Sequence, residues 1–304
     1  MLSRLLSLVL VAALLTGCKP PADSPPSSPG VKPVSTAPSA TVKDDLGREI
    51  KLRGEVKRVV VIGPGAIETT YALGAQSKLI GRDSYADFPP AAKKIAIAGD
   101  YTGHSVEKCV ALHPDLIIVQ GETWDKGRVE NWQQQIGAPV AALTATNLKA
   151  VQDDFLKMGT WLGQSAVATR LAKTLDSAPV KAPVAAFVEV GRSPLFTAGK
   201  GTLVADVLRA GGFSNVADDI TGYQPFGLES LLSRQPEAYV SPSSNPSTKV
   251  LAELRASPTL SKLKCIRAGR VITIKGDYLL RPGPRLRLGI DQLKKEAQRI
   301  TLAR

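Results

Sequence analysis

Two stretches of this sequence share one pattern, and that internal repeat constrains the fold more than any other feature. Residues 105–119 read SVEKCVALHPDLIIV, and residues 227–241, 122 positions later, read GLESLLSRQPEAYVS. Each stretch places a glutamate, Glu107 or Glu229, in the first turn of a helix, where a carboxylate suits the positive helix end. Each then stops the helix at a proline–acid pair and enters a strand. The repeat therefore predicts two structurally similar halves.

Strand and helix patterns alternate along both halves. Helical patterns ended by glycine occupy residues 66–73 and 203–210. This alternation predicts an α/β fold in which each half has a central, mostly parallel β-sheet flanked by helices. Apolar, β-branched runs predict the strands at residues 58–62, 116–119, 184–190, 238–241 and 271–274.

An amphipathic helix separates the two halves. Gly163 ends it, and a second helical segment runs over residues 165–175. The apolar positions of the first helix follow three–four spacing, at Leu148, Val151, Phe155, Met158 and Leu162.

The length of the chain supports two lobes. About 260 residues follow position 40, more than one typical hydrophobic core holds. We therefore predict an N-terminal α/β lobe at residues 41–145, a connecting helical spine at 146–177 and a C-terminal α/β lobe at 178–304.

The N-terminal residues predict export and a lipid anchor. Residues 1–18 carry one cation, Arg4, and an apolar run over 5–15 that is too short to span a bilayer. The segment ends in Leu-Thr-Gly-Cys, which resembles the bacterial lipobox, so we expect a lipoprotein signal peptide with acylation at Cys18. An ordinary secreted protein with an unpaired Cys18 is the alternative. Residues 19–40 are rich in proline and serine and predict an extended tether.

The charge of the chain indicates which partners to expect. The formal net charge is +12, and it becomes +11 without the signal peptide, which carries one cation. A basic protein favours an anionic partner. The export signal argues against nucleic acid, which leaves anionic lipid headgroups or an anionic ligand. A solvated basic surface with no particular partner is the other interpretation.

Besides Cys18 of the lipobox, the chain has two cysteines, at positions 109 and 265. An oxidising compartment would allow them to pair if their Cα atoms lay close enough. We expect two buried thiols instead, because Cys109 lies in an apolar helical pattern and Cys265 belongs to the other half of the chain.

Enzyme chemistry finds little support in the sequence. The chain has two histidines, His104 and His113, and no G-x-S-x-G nucleophile motif. The glycines at residues 199–202 fail the spacing of a phosphate-binding loop. A site for a bare zinc or manganese ion would need three or four convergent ligands, which two histidines do not supply. We expect no catalytic residues, no metal site and no cofactor.

Six segments that span both halves resemble class III periplasmic binding proteins, which serve ABC importers of cobalamin, ferric siderophores and heme. The resemblance implies two α/β lobes joined by a helical spine, a shallow cleft between them and little hinge motion. It also implies a monomer in which one glutamate on each lobe docks onto arginines of the ABC permease and its ATPase complex, and Glu107 and Glu229 match those positions. The six segments are TVKDDLGREIKL (41–52), RVVVIGPGAIETTYALGA (58–75), SYADFPP (84–90), SVEKCVALHPDLIIV (105–119), PLFTAGKGT (194–202) and RPGPRLRLGIDQL (281–293).

Cobalamin-binding members of that family are the most similar in these motifs. A planar corrin ring is held by flat apolar faces plus a few polar groups, so aromatic side chains near the motifs are sensible cleft walls. The alternative for each ring is an ordinary place in the core. The expected ligand-binding residues are Tyr85, Tyr101, Phe196, Tyr223 and Phe226, with Arg281 as a polar partner and Trp124 and Tyr278 as weaker candidates.

Two departures keep other ligands open. The segment between the spine and the second lobe is shorter than is usual in the family, which would alter the angle between the lobes. An anionic ferric siderophore or heme would use cations in the cleft, and Tyr101 would suit heme iron as a phenolate ligand. A structural lipoprotein with no small ligand is a remote alternative. The candidate cations are Arg82, Arg192, Lys200, Arg281 and Arg285.

Overall fold

Two β-sheets organise the computed structural model, which describes residues 40–99, 105–178 and 180–303. The strands are β1 (Ala40–Lys43), β2 (Glu49–Leu52), β3 (Val59–Ile62), β4 (Leu79–Asp83), β5 (Ile97–Gly99), β6 (Leu116–Gln120), β7 (Val140–Leu143), β8 (Val184–Arg192), β9 (Leu195–Ala198), β10 (Phe213–Asn215), β11 (Tyr223–Pro225), β12 (Ala238–Pro242) and β13 (Val271–Ile274). The α-helices are α1 (Pro64–Ala72), α2 (Val106–Ala111), α3 (Lys126–Ile136), α4 (Leu148–Trp161), α5 (Ser165–Lys173), α6 (Leu203–Ala210), α7 (Leu228–Arg234), α8 (Ser247–Ala256), α9 (Lys264–Arg267) and α10 (Leu286–Leu302). Short 3-10 turns occupy Gln76–Lys78, Pro90–Lys94, Leu260–Lys262 and Gly276–Tyr278.

The first sheet has five strands in the order β5-β4-β3-β6-β7, and every pairing in it is parallel. Its central strand β3 is buried along its whole length, as expected for a parallel sheet covered on both faces. The strands that the β-branched runs predict in this half are confirmed as β3 and β6. A separate two-stranded hairpin, β1-β2, precedes this sheet.

The second sheet has six strands, with β8 at its centre. Strands β10, β12 and β13 are aligned parallel with β8. Strand β9 pairs antiparallel with β8, and β11 pairs antiparallel with β9. The prediction of an α/β fold with mostly parallel sheets is confirmed, and both antiparallel pairings of the second sheet involve β9, on one side of that sheet. Cys109 and Cys265 are buried free thiols, one on α2 and one on α9. Burial raises the pKa of each to about 11.

Helix α4 belongs to the cores of both halves. Val151 and Phe155, in its first part, pack into the core of the second sheet. Met158 and Trp161, further along, pack into the core of the first sheet. Helix α5 folds back against α4 because Gly159 leaves room for the methyl group of Ala168. One continuous helix thus ties the two cores together.

The internal repeat has a common structural basis. The proline–acid pair of each copy lies where a helix ends and a strand begins. In the first copy, the Asp115 carboxylate accepts hydrogen bonds of 2.9 Å from the backbone N–H groups of Lys57 and Arg58. In the second copy, the Glu237 carboxylate accepts one of 3.2 Å from the backbone N–H of Ala185. Each acid therefore anchors the neighbouring central strand of its own sheet, β3 or β8.

Candidate functional site

A cleft lies at the carboxyl ends of strands from both sheets, the place where open α/β sheets bind ligands. Its volume is about 510 Å³. Four strands of the first sheet and β13 of the second end beside it, so both halves contribute to its walls. The lining residues are Pro64, Gly65, Tyr85, Gln120, Gly121, Glu122, Ala145, Leu203, Tyr223, Gly276, Asp277, Leu280, Arg281 and Pro282.

Gln120, the last residue of β6, joins the two halves at the floor of the cleft. Its Oε1 accepts a hydrogen bond of 2.8 Å from the backbone N–H of Ala66, and its Nε2 donates one of 2.9 Å to the carbonyl of Pro282. Gly65 lies so close that a Cβ there would overlap the same Pro282 carbonyl. The start of α1 and the segment before α10 are therefore in direct contact, and a larger residue at position 65 would separate them.

A cluster of ion pairs joins the two halves beside this floor. Glu68 on α1 is 3 % exposed. Arg281 donates to its Oε1 at 3.0 Å, and the Nε of Arg285 donates to its Oε2 at 2.9 Å. Asp277 is 3.0 Å from Arg281 and 3.1 Å from Arg285, and Asp87 is 3.2 Å from Arg281. Although burial opposes the charge, these carboxylates hold the pKa of both arginines above its ordinary value.

Two predicted tyrosines present their rings at the cleft. Tyr85 is 54 % exposed and Tyr223 is 39 % exposed. Asp83 positions Tyr85, because its carboxylate accepts hydrogen bonds from the backbone N–H groups of Tyr85 at 2.8 Å and Gly63 at 2.9 Å. Burial, aided by the negative charge of Glu122, raises the pKa of Tyr223 to about 12, so its phenol stays neutral. Both rings are surfaces that a flat apolar ligand would contact.

The other predicted aromatics lie elsewhere. Trp124 is 3 % exposed and packs against Trp132 at 5.3 Å between ring centroids, so it has little surface to offer a ligand. Phe226 is 8 % exposed, packs against Phe187 at 5.3 Å and borders a different cavity of about 700 Å³. Phe196 on β9 is half-buried. The structure thus corrects the expectation that all these rings line one cleft, because two of them complete hydrophobic cores.

The predicted cations do not converge as free charges. Arg192 borders the cavity beside Phe226 and pairs with Glu189 and Glu253. Arg82 is buried and donates to the carbonyls of Asp83 and Lys93. Lys200 is exposed at the start of the turn into α6 and is not among the residues that line the cleft. Arg281 lines the cleft, and Arg285 beside it pairs with two of the same carboxylates, Glu68 and Asp277.

The two predicted docking glutamates occupy equivalent places in the two halves. Glu107 is exposed in the first turn of α2, which Ser105 caps by accepting from the backbone N–H of Lys108 at 3.1 Å. Glu229 is exposed in the first turn of α7. Tyr101 and Cys18 lie outside the described residues, as does His104.

Several cleft residues were missed in the sequence analysis. Gln120 and Glu122 lie one and three residues after the predicted strand at residues 116–119, and the rule that ligands bind beyond the carboxyl ends of parallel strands would have identified them. The same rule applies to Asp277, which lies three residues after the predicted strand at 271–274. Leu280, further along the chain, had no comparable signal.

Among residues 40–99, 105–178 and 180–303, no three His, Cys, Asp or Glu side chains are grouped so as to hold a metal ion. Within the same described ranges, no helix combines the length and the apolar character needed to cross a membrane.

Comparisons with known proteins agree with this geometry. A family described as "Periplasmic binding protein" matches residues 59–278. The chain is 28 % identical to the vitamin B12-binding protein of Pectobacterium atrosepticum over 266 residues, which cover 81 % of this chain and 90 % of that protein. It is 27 % identical to YvrC of Bacillus subtilis, an uncharacterized ABC transporter substrate-binding lipoprotein, with 94 % of each chain covered. A periplasmic heme-binding protein from Pseudomonas aeruginosa has a similar structure, with a TM-score of 0.65 and 27 % identity over 80 % of this chain and 92 % of that one.

Proposed function

The chain belongs to the periplasmic binding protein family, and from this premise we propose that its cleft captures cobalamin for delivery to an ABC permease. Members of the family are non-enzymatic, extracytoplasmic components of ABC importers, and this chain is such a substrate-binding protein. The proposal concerns the ligand, the residues that hold it, the docking surface and the anchor.

One observation carries the choice of cobalamin. The cleft presents two exposed tyrosine faces, Tyr85 and Tyr223, while its arginines are already paired with carboxylates. Such a site suits a flat ligand of low charge that is held by ring faces and hydrogen bonds. Cobalamin is such a ligand, and the relative in Pectobacterium atrosepticum that bears its name covers both halves of this chain.

A titration of the domain from residue 41 onward with cyanocobalamin tests the proposal. We expect sub-micromolar affinity by calorimetry. Tyr223→Ala and Tyr85→Ala should each weaken binding by about 1 to 3 kcal/mol, the scale of an aromatic anchor. The matched control is Leu156→Ala, which removes an exposed apolar side chain from α4, away from the cleft. No binding of cyanocobalamin by the folded domain would contradict the proposal.

A heme or ferric siderophore is the second candidate. The structural likeness to the heme-binding protein of Pseudomonas aeruginosa favours it. Under this alternative, Tyr101 would ligate the iron as a phenolate. The same titration with hemin separates the two candidates: tight hemin binding that Tyr101→Phe abolishes, together with no response to cyanocobalamin, would favour heme.

The proposal extends to docking and anchoring. Glu107 and Glu229 are exposed at matched places in the two halves and are proposed to dock onto permease arginines. Acylation of Cys18 is proposed to hold the protein at the membrane, as the lipoprotein YvrC supports by similarity. Detergent phase partitioning of Cys18→Ser tests the anchor. A variant that still enters the detergent phase would contradict it.

A further inference from the structure

We propose that Glu122 selects the chemical class of the ligand: it favours ligands whose edges carry amide N–H donors and repels ligands whose edges carry carboxylates. The inference deepens the proposed function and rests on it, because it concerns the same cleft. It assigns a specificity role to a residue that neither the aromatic pattern nor the cation pattern indicated.

The charges around the cleft differ in sign from the charge of the whole chain. The protein carries a formal net charge of +12. Beside the cleft, however, the two guanidinium groups of Arg281 and Arg285 face three carboxylates in the ion-pair cluster. That cluster already uses both cations and has one negative charge in excess. The basic character of the chain therefore does not extend to this site.

Glu122 adds a further negative charge at the rim. It lines the cavity two residues after the end of β6, and it is exposed. Over the described parts of the chain, it has no Lys or Arg within salt-bridge distance, unlike Asp277 on the opposite wall. Its charge reaches across the cleft to Tyr223, whose pKa it helps to raise after the larger effect of burial. Glu122 is thus a carboxylate of one half that acts electrostatically on the ligand-facing ring of the other half.

A carboxylate at this place distinguishes ligands by the polar groups on the periphery of their rings. An ionised carboxylate only accepts hydrogen bonds, and a bond to it from an N–H group is charge-assisted. The corrin ring of cobalamin is edged with primary amides, which supply such donors. Heme and many ferric siderophores carry carboxylates instead, and these would meet a like charge in a site partly shielded from water.

The experiment compares two ligands on three proteins. Cyanocobalamin and hemin are titrated into wild type, E122Q and E130Q, with calorimetry for the first ligand and Soret absorbance for the second. E122Q keeps the shape and an acceptor oxygen but removes the charge. E130Q is the matched control, because Glu130 is an exposed glutamate on α3 whose side chain does not line the cleft.

We expect E122Q to tighten hemin binding by at least about fivefold at low salt, with a smaller gain at high salt because exposed charges are screened. Cyanocobalamin binding should weaken by about threefold to tenfold as a charge-assisted bond becomes a neutral one. E130Q should change neither affinity by more than about twofold.

The outcomes separate the inference from the proposed function. If cyanocobalamin binds wild type but E122Q leaves both affinities within about twofold, the inference is overturned and the proposed ligand stands. If cyanocobalamin binds no variant while E122Q tightens hemin and E130Q does not, the proposed ligand fails and the electrostatic role of Glu122 is supported. If E122Q binds hemin no more tightly than wild type does, or shows no detectable hemin binding, the inference is overturned, whatever the result with cyanocobalamin.

Discussion

His113 and Gln235 lie 122 residues apart, and both have a left-handed backbone conformation, with φ of 46° and 42°. Across the described ranges, they are the two residues other than glycine with a positive φ. Each follows the end of a repeat helix and precedes a proline, Pro114 or Pro236, which disfavours the right-handed helical conformation in the residue before it. In both halves, therefore, the chain leaves the matched helix through the same strained turn, and the strain follows from the repeated proline.

Glycine at position 113 should stabilise the protein. A left-handed conformation costs an L-residue roughly 1 to 2 kcal/mol, whereas glycine adopts it freely and loses more entropy on folding. We expect His113→Gly to raise the free energy of unfolding by about 0.5 kcal/mol. Gln235→Gly should gain less, because the Gln235 side chain accepts a hydrogen bond of 3.0 Å from the backbone N–H of Lys264. Chemical denaturation measures both, and a less stable His113→Gly would contradict the strain argument.

Removing the Glu68 carboxylate should weaken the contact between the halves. Glu68→Gln removes the buried negative charge that Arg281 and Arg285 share and leaves one acceptor oxygen in place of two. Breaking a buried pair in this way costs about 2 to 4 kcal/mol, with some allowance for the exposure of the arginines. The control is Asp87→Asn, whose side chain is 57 % exposed, and it should cost under about 1 kcal/mol. Urea denaturation that finds equal effects for the two variants would mean that Glu68 has no special role.

Asp154 should make stability depend on pH. It lies on α4, is 2 % exposed, and neither carboxylate oxygen has a hydrogen-bond partner among the described residues when the group is ionised. Burial, reinforced by the neighbouring carboxylates of Asp45 and Asp153 and partly offset by Lys157, raises its pKa from 3.8 to about 9. The folded protein therefore keeps a proton that the unfolded chain releases above about pH 4. The proton lets Asp154 donate a hydrogen bond to Asp45.

The sign of the effect follows from that retained proton. The stabilisation is fully present below the unfolded pKa, and the free energy of unfolding falls as pH rises toward 9, by up to about 1.4 kcal/mol per pH unit. Asp154→Asn, which always carries donor hydrogens, should flatten this dependence and be more stable than wild type at pH 8. Glu130→Gln, which removes an exposed carboxylate on α3 that is not among the groups acting on Asp154, is the control. Urea midpoints from pH 5 to 8 that are parallel for wild type and Asp154→Asn would contradict the prediction.

Sequence patterns predicted the parts of this protein that depend on local periodicity. The β-branched runs correspond to β3, β6, β12 and β13, and the three–four spacing from Leu148 to Leu162 corresponds to α4. Both patterns could be read from the sequence because the positions of apolar residues follow the buried faces of strands and helices. The site was harder to predict. An aromatic or arginine near a motif has the same appearance in sequence whether it packs in a core, as Trp124 does, or faces a ligand, as Tyr223 does. Its partners come from distant parts of the chain, so Glu68 and Arg285 become a pair only in the folded structure.

The last prediction concerns Glu107 and Glu229. Both are exposed in the first turn of a helix, and neither lines the cleft. If they dock onto permease arginines, reversing both charges should remove attractions worth on the order of 2 to 5 kcal/mol each and add repulsion. Glu107→Arg with Glu229→Arg should leave the ligand Kd within about threefold, because the changes lie outside the cleft.

The readout for this double variant is uptake in vesicles reconstituted with the cognate transporter, together with stimulation of its ATPase. We expect both to be lost, with each single variant intermediate because the other half still docks. A control variant, Glu49→Arg with Glu130→Arg, makes the same change in net charge at exposed positions on β2 and α3. It should retain uptake, since it leaves both repeat helices unaltered. Wild-type uptake by the first variant would remove the docking role, and loss of ligand binding with normal folding would instead assign these glutamates to the cleft.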